Sequence, residues 1–224
     1  MTDRALSSLV FPVVRWRYWE GAATQLPELK SIDPLLRRRL SPQGRAALSV
    51  ADDCLSGAHP VRVVYASQHG ELARTLGIME SLRPECPDGP SPASFALSVL
   101  NSTPGIYSIA RRDHSPALAL SAGEASCWYG LLEAAQVWLE HRSSVLLICA
   151  DAPVPTLFRR GQVDPAPVRA LAVLIGAEGE ERLLTRSSSQ YVDETPALPA
   201  LASALASEGT WRREGSSWRL SRHA

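Results

Sequence analysis

Apolar residues along this chain follow two patterns. Residues 61–66, 145–150 and 168–176 are apolar almost throughout, as strands covered on both faces are. Residues 124–141 instead carry apolar side chains at three- and four-residue spacing, the period of a helix with one buried face. The positions concerned are Trp128, Leu131, Leu132, Ala135, Trp138 and Leu139. Strands that alternate with helices in this way predict a layered α/β domain.

Turn-forming residues predict a second helix before the first apolar strand. Ser41 is a capping residue and Pro42 follows it at the first helical position, while Gly57 predicts the end of the helix. Residues 71–82 are predicted to form a further helix. The proline- and glycine-rich residues 85–92 are predicted to form a loop.

The middle of the chain leads to a short strand. Residues 92–107 are predicted to be helical until Pro104 and Gly105 interrupt the helix. Residues 117–120 are apolar and are predicted to form a short buried strand.

The C-terminal third reads as two hairpins around a helix. Residues 182–187 are predicted to pair with the strand at 168–176 across a polar turn. Residues 198–208 are predicted to be helical. Residues 209–224 are predicted to form a C-terminal tail, a small hairpin that turns at 214–217. The whole chain, residues 1–224, is predicted to be a single domain.

The N-terminal segment has a short apolar stretch broken by Pro12 and followed by arginines. We predict neither a signal peptide nor a membrane span, because no stretch of the chain approaches the roughly 20 apolar residues that a span requires. We interpret the segment as an arm that packs on the core. A partner-facing aromatic patch is the alternative for Trp16, Tyr18 and Trp19.

Composition excludes some classes of partner. The chain of 224 residues has 45% hydrophobic and 21% charged residues, which is typical of a soluble globular domain. Lys+Arg 23 and Asp+Glu 23 leave no net charge that would favour nucleic acid or an anionic membrane. Four cysteines without a CxxC pair favour reduced thiols in the cytoplasm, and we expect no metal and no cofactor.

Candidate nucleophiles cluster where the short strand turns into the 124–141 helix. A nucleophile or an oxyanion at this place would be stabilised, because helix N-termini carry unpaired N–H groups and partial positive charge. Ser121 invites comparison with a nucleophile elbow, which requires glycine two residues before and two after the serine. Those positions hold Ala119 and Gly123, so half of the motif is present. Ser126 and Cys127 are predicted to be packing residues.

A hydrolase would also need an acid and a histidine after the serine. Asp151 follows an apolar strand and is a candidate acid. His141 precedes it, and His223 lies in a polar tail. We interpret Glu124 as an acid that complements the helix dipole and His69 as a turn residue. A serine esterase or thioesterase using Ser121 stays open as an alternative.

The order of these segments resembles the N-terminal half of a β-ketoacyl synthase, of the thiolase fold, over residues 31–187. The segments that carry the resemblance are VRVVYASQHGE, RRRLSPQGRAALSVADDCL, FALSVLNSTPGIYSIA, ALALSAGEASCWYGLLEAA and VLLICADAP. The resemblance implies a single thiolase-like half, a layered α/β/α domain with a mixed sheet.

The chain departs from the synthase pattern at the catalytic position. Laid on the synthase Thr-Ala-Cys, Ser121 takes the threonine place, Ala122 the alanine place and Gly123 the place of the nucleophilic cysteine. Synthases also draw two active-site histidines from a second homologous half, and this chain ends soon after one half is complete. We therefore expect no catalytic residue.

Synthases without the cysteine occur as chain-length factors of type II polyketide systems, and this chain looks like the small synthase-like subunits of aryl-polyene-type pathways. The resemblance implies a heterodimer with a catalytic β-ketoacyl synthase. The strand that leads to the nucleophile would form the interface through Ala117, Leu118, Ala119, Leu120 and Ser121. A homo-oligomeric acyl-binding scaffold is a further possibility.

A basic cluster suggests a second contact. Arg37, Arg38, Arg39 and Arg45 complement the charge of an acidic acyl carrier protein, although such runs also occur as solvated faces.

Overall fold

The computed structural model describes residues 5–55, 60–86, 88–159, 166–213 and 215–223, and only the backbone of residues 5–7. In these residues the strands are β1 Ala5–Gly21, β2 Arg62–Ala66, β3 Ala117–Leu120, β4 Val145–Asp151, β5 Val168–Ile175, β6 Glu180–Ser187, β7 Gly209–Arg213 and β8 Ser216–Arg222. The helices are α1 Pro34–Arg37, α2 Pro42–Cys54, α3 Leu72–Ser81, α4 Pro92–Ala96, α5 Ser102–Arg111, α6 Ser126–His141 and α7 Ala197–Ser207, with a 3-10 turn at Thr156–Phe158.

The described strands form one mixed sheet in the order β3-β2-β4-β5-β1-β6-β8-β7. β2 is parallel to both β3 and β4, whereas β5 is antiparallel to β4 and β1. The predicted α/β architecture with a mixed sheet is confirmed. None of the helices in the described ranges has the length and apolarity needed to cross a bilayer.

The N-terminal segment packs on the core as predicted, but it does so as a strand inside the sheet and not as an arm. Residues from Val13 to Gly21 pair with β5, and residues from Ala5 to Val13 pair with β6. Trp16 and Tyr18 pack on one core, whereas Arg17 between them is exposed. This period-two alternation is the strand signal that the prediction passed over.

β6 does not form the predicted hairpin with β5. Both strands run antiparallel to β1 and therefore run in the same direction, and β1 lies between them in the sheet. The connecting residues 176–179 approach the β1 backbone closely: Gly176 N–H donates to Pro12 O at 3.2 Å. A Cβ on Gly179 would lie 2.4 Å from the Val13 carbonyl carbon, so only glycine fits.

Helix starts agree better with the sequence. Ser41 Oγ accepts from Gly44 N–H at 3.1 Å and Pro42 opens α2, as predicted. The predicted stop at Gly57 lies outside the described residues. Pro104 and Gly105 do not interrupt a helix but sit in the first turn of α5, where proline has no intrahelical N–H bond to lose.

Two apolar cores cover the two faces of the sheet. One core contains residues of α6, α7, β1 and the C-terminal strands, including Phe11, Trp128 and Trp218. The other contains residues of α2 and α5 packed on β2, β4 and β5. β7 and β8 pair antiparallel with Trp211 opposite Trp218. Glu214, in the predicted turn, lies outside the described residues.

Candidate functional site

The candidate site lies where three neighbouring strands end together. β2, β3 and β4 are parallel, and Ala66 is in register with both Leu120 and Cys149. The segments that follow these strands, residues 67–71, 121–125 and 151–155, therefore meet at one edge of the sheet.

The turn between β3 and α6 is built around Gly123. Its φ of +58° lies in the left-handed region that favours glycine. Ser126 Oγ donates to Gly123 O at 2.5 Å and accepts from Ala122 N–H at 2.9 Å. A Cβ on Gly123 would meet no heavy atom within 4 Å. The turn thus presents backbone to open space.

Neither cysteine near this turn is poised as a nucleophile. Cys127 follows the turn in the first turn of α6, and Cys149 lies in β4, and both are buried. Burial raises the pKa of each thiol well above its ordinary value, and the charge of Asp151 acts in the same direction. The reactive thiolate is therefore disfavoured at both positions.

Ser121 and Asp151 share a neighbour but do not form a catalytic pair. Ser121 Oγ donates to Gln68 O at 2.9 Å, whereas Asp151 Oδ1 accepts from Gln68 N–H at 2.7 Å and from Ser67 Oγ at 2.9 Å. Burial raises the Asp151 pKa, although these bonds and His69 oppose the shift.

The histidines considered for a hydrolase lie elsewhere. His141 ends α6 beside Glu140, and the backbone N–H of His223 donates to Glu181 O. In the ranges that the structure describes, no histidine is hydrogen-bonded to Ser121. Among these residues, Ser121 Oγ donates to the Gln68 carbonyl oxygen and not to a side-chain base.

A buried polar network beside the turn was not predicted. Gln43, 2% exposed in the first turn of α2, donates to Gly70 O at 2.7 Å and accepts from Ala152 N–H at 3.1 Å. Ser41 Oγ donates to Glu71 Oε1 at 2.7 Å. These bonds fix the start of α2 to the segments after β2 and β4. Because α2 also contains Arg45, Asp52 and Asp53, the sequence of this helix did not mark Gln43 as a buried polar residue.

The start of α6 is also held by the C-terminal strands. Glu124 forms an ion pair with Arg213 of β7. The Trp128 ring stacks on Trp211 and Trp218, with centroids 6.1 and 6.3 Å apart. Glu124 precedes α6, so the prediction that it lies in the first helical turn is wrong, and its observed partner is Arg213.

β3 is an edge strand, and the prediction that it is buried is wrong. Val63 N–H donates to Pro116 O at 3.1 Å, and Ser67 N–H donates to Leu120 O at 3.3 Å. Because successive residues direct their backbone groups to alternate sides, Ala117 and Ala119 direct theirs away from β2. Leu118 is 42% exposed. No described strand pairs with this outer edge.

The connection from β2 to β3 also exposes apolar side chains. Neither α3 nor α4 contains a buried residue. The exposed large side chains of this connection are Met79, Leu82, Phe95, Val99 and Ile109. The edge strand and its connection thus form an uncovered apolar region of the molecule.

The arginine cluster divides into two pairs. Arg37 donates to Glu28 O and Leu29 O at 3.1 and 3.2 Å, and Arg45 donates to Pro27 O at 3.1 Å. Both therefore hold the chain segment before α1. Arg38 and Arg39 are exposed.

The predicted aromatic patch of the N-terminal segment is partly covered by the protein itself. Trp16 and Tyr18 are half-buried against one core and Trp19 against the other.

Among the residues that the structure describes, no group of three or more His, Cys, Asp or Glu side chains is placed to hold a metal ion.

Comparison with known proteins identifies the family. The family described as "Beta-ketoacyl synthase, N-terminal domain" matches residues 15–218. A comparison with curated protein sequences finds no match. A chain of the structure of the ketosynthase ApeO in complex with its chain length factor ApeC from Xenorhabdus doucetiae has a TM-score of 0.76 at 23% identity, covering 96% of this chain and 100% of that chain.

Two further structures share the fold at lower similarity. The ishigamide ketosynthase/chain length factor has a TM-score of 0.57 at 16% identity, covering 88% of this chain and 73% of that chain. The AntDE:AntF structure is that of a type II PKS acyl-carrier protein in complex with its ketosynthase bound to the hexaketide. It has a TM-score of 0.57 at 12% identity, covering 82% of this chain and 71% of that chain. The match over residues 15–218 establishes that the chain belongs to the β-ketoacyl synthase N-terminal domain family.

Proposed function

We propose that the chain is a non-catalytic, chain-length-factor-like subunit that pairs with a catalytic β-ketoacyl synthase in polyketide-type biosynthesis. The proposal rests on Gly123, a left-handed turn residue facing open space, which the resemblance to the synthase Thr-Ala-Cys lays on the place of the nucleophilic cysteine. Condensation requires a thiolate to hold the acyl chain, and the nearby Cys127 is buried with a raised pKa.

The similarity to a chain of the ApeO/ApeC complex supports the pairing, because this chain covers the whole of that chain. A ketosynthase-fold chain of this extent therefore occurs in a complex of a ketosynthase with its chain length factor.

The interface that we propose is β3 with the connection that precedes it. The outward backbone groups of Ala117 and Ala119 can pair with a strand of the synthase, as exposed sheet edges do. Leu118 and the apolar side chains of α3 and α4 would then be covered by the partner. Ser121 stands at the end of this edge.

The test is co-expression and co-purification with a full-length β-ketoacyl synthase from the genome that encodes this chain. Ala119→Pro removes an outward N–H, and proline is tolerated on edge strands, so the variant should keep its fold and lose the synthase. Leu118→Lys should weaken the complex, whereas Leu35→Lys, at a 68% exposed site on α1, should not. Light scattering of the co-expressed proteins reads out the complex.

Two results would contradict the proposal. One is a wild-type chain that never co-purifies with a synthase. The other is a covalent acyl adduct on this chain, found by intact mass after incubation with an acyl thioester. If the chain instead hydrolyses that thioester and Ser121→Ala abolishes the hydrolysis, the result would favour the alternative of a serine esterase or thioesterase.

We also propose that an acyl carrier protein contacts the basic cluster. Arg38 and Arg39 are the exposed arginines that a carrier protein could reach, since the guanidinium groups of Arg37 and Arg45 donate to backbone carbonyls. Arg38→Glu with Arg39→Glu should weaken carrier binding to the complex in low salt, measured by calorimetry. Unchanged binding would remove this contact.

A further inference from the structure

A second site lies between β2 and β4, on the far side of β2 from the edge strand. The chain leaves β2 toward β3 on one side and returns to β4 on the other. Such a switch point opens a crevice at the carboxyl ends of the strands, which is where open α/β sheets bind ligands. A cavity of about 310 Å³ occupies this crevice. Its volume falls within the range of roughly 300–1,000 Å³ for small-molecule sites.

Apolar side chains line most of this cavity. They come from the start of α2, the first turn of α3, the segment after β4 and the start of β5, and include Pro42, Leu72, Ala73, Ala152, Pro153, Val154 and Val168. The polar groups Ser41, Gln43 and Glu71 in the wall already hydrogen-bond one another or the backbone. The wall therefore favours a hydrocarbon group.

A guanidinium and an imidazole complete the site. Arg159 and His69 both line the cavity. Arg159 Nε donates to Val154 O at 2.6 Å, and no carboxylate of the described ranges lies within ion-pair distance of its guanidinium. A guanidinium beside apolar walls is suited to one anionic group on an apolar ligand.

We propose that this cavity binds an aliphatic carboxylate, with its hydrocarbon part between α2, α3 and residues 152–154 and its carboxylate at Arg159 and His69. The cavity uses only the first turn of α3, at Leu72 and Ala73, whereas the proposed synthase interface uses β3 and the exposed Met79 further along α3. Binding would tie the segments after β2 and β4 together at the edge that also carries the Gly123 turn.

The experiment compares sodium octanoate with 1-octanol, titrated into the purified chain and followed by calorimetry. Octanoate should bind the wild type. Arg159→Gln should weaken octanoate about tenfold and leave octanol unchanged, because only the carboxylate uses the charge. Arg219→Gln, at an exposed arginine of β8 outside the cavity, is the matched control and should alter neither ligand.

Filling the cavity tests its location. Val154→Trp and, independently, Ala152→Leu should reduce the binding of both ligands while the thermal unfolding midpoint stays near that of the wild type. Wild-type protein that ignores octanoate, or both filled variants that bind it normally, would overturn the proposal. Equal weakening of the two ligands by Arg159→Gln would overturn the placement of the carboxylate. None of these readouts involves a synthase.

Discussion

At Gly123 a side chain would enter open space, whereas at Gly130, seven residues later in α6, it would collide with the sheet. A Cβ on Gly130 would lie 2.8 Å from Ala66 Cβ and 3.0 Å from Leu147 Cδ1. Glycine at the first position serves a left-handed turn, and glycine at the second lets α6 approach β2 and β4. Glycine is therefore needed for two different physical reasons, one in the turn before α6 and one inside α6.

The close approach at Gly130 gives a stability prediction. Gly130→Ala should lower the free energy of unfolding by about 1–3 kcal/mol, because the Ala66 Cβ cannot move without the β2 backbone. Gly105→Ala is the matched control, since a Cβ there in α5 meets nothing within 4 Å. It should raise stability by about 0.5–1 kcal/mol through helix propensity. Urea unfolding measures both, and a stabilised Gly130→Ala would contradict the packing.

Asp151 gives a pH prediction. Burial raises its pKa in the folded state, so folding takes up a proton and the free energy of unfolding decreases as pH rises from about 4 through the folded-state pKa. Asp151→Asn keeps an acceptor for Ser67 and Gln68 but removes this titration. Its stability should therefore fall less than that of the wild type between about pH 4 and pH 7. Parallel curves for the two proteins would refute the assignment.

Between elements, the C-terminal strands hold the start of α6 by aromatic packing more than by charge. The Glu124–Arg213 pair is partly exposed, and such pairs contribute about 0–1 kcal/mol. Trp218 is fully buried, stacked on Trp128 and met edge-on by Tyr129 at 4.8 Å. The hairpin β7–β8 is thus part of the core that positions the Gly123 turn.

Trp218→Ala should consequently cost about 3–5 kcal/mol of unfolding free energy. It should also speed hydrogen exchange of the Ser126 and Trp128 amides, measured by mass spectrometry. Tyr191→Ala, at a 76% exposed site, is the control and should change stability by less than about 0.5 kcal/mol. Loss of stability without faster exchange at the start of α6 would separate the hairpin from the turn.

For the whole molecule, the exposed edge of β3 and the zero net charge act in the same direction. An unpaired edge with apolar neighbours offers a template for association, and a chain without net charge has little repulsion to oppose it. We therefore predict that the chain expressed alone self-associates near neutral pH and becomes monodisperse with its synthase. Sedimentation velocity of the two preparations checks this, and a stable monomer indifferent to the synthase would contradict it.

Local signals in the sequence determined the elements whose cause is local. The cap at Ser41 and Pro42 placed the start of α2, the helical period placed α6, and continuous apolar runs placed β2, β4 and β5. The assignment of Gly123 to the nucleophile position also came from the sequence, through its resemblance to a known family, and it stays a prediction. These features depend on residues within one or two turns of each other.

Tertiary structure alone decided which strands pair and which side chains are buried. Val13 pairs with Ile175, and this distant partner gives β1 its place in the sheet and β6 its direction. The exposure of β3 and the burial of Gln43 likewise depend on neighbours far along the chain. Periodicity shows that a strand has apolar faces, but hydrogen bonding and packing with distant segments decide whether those faces and edges meet protein or remain open to a partner.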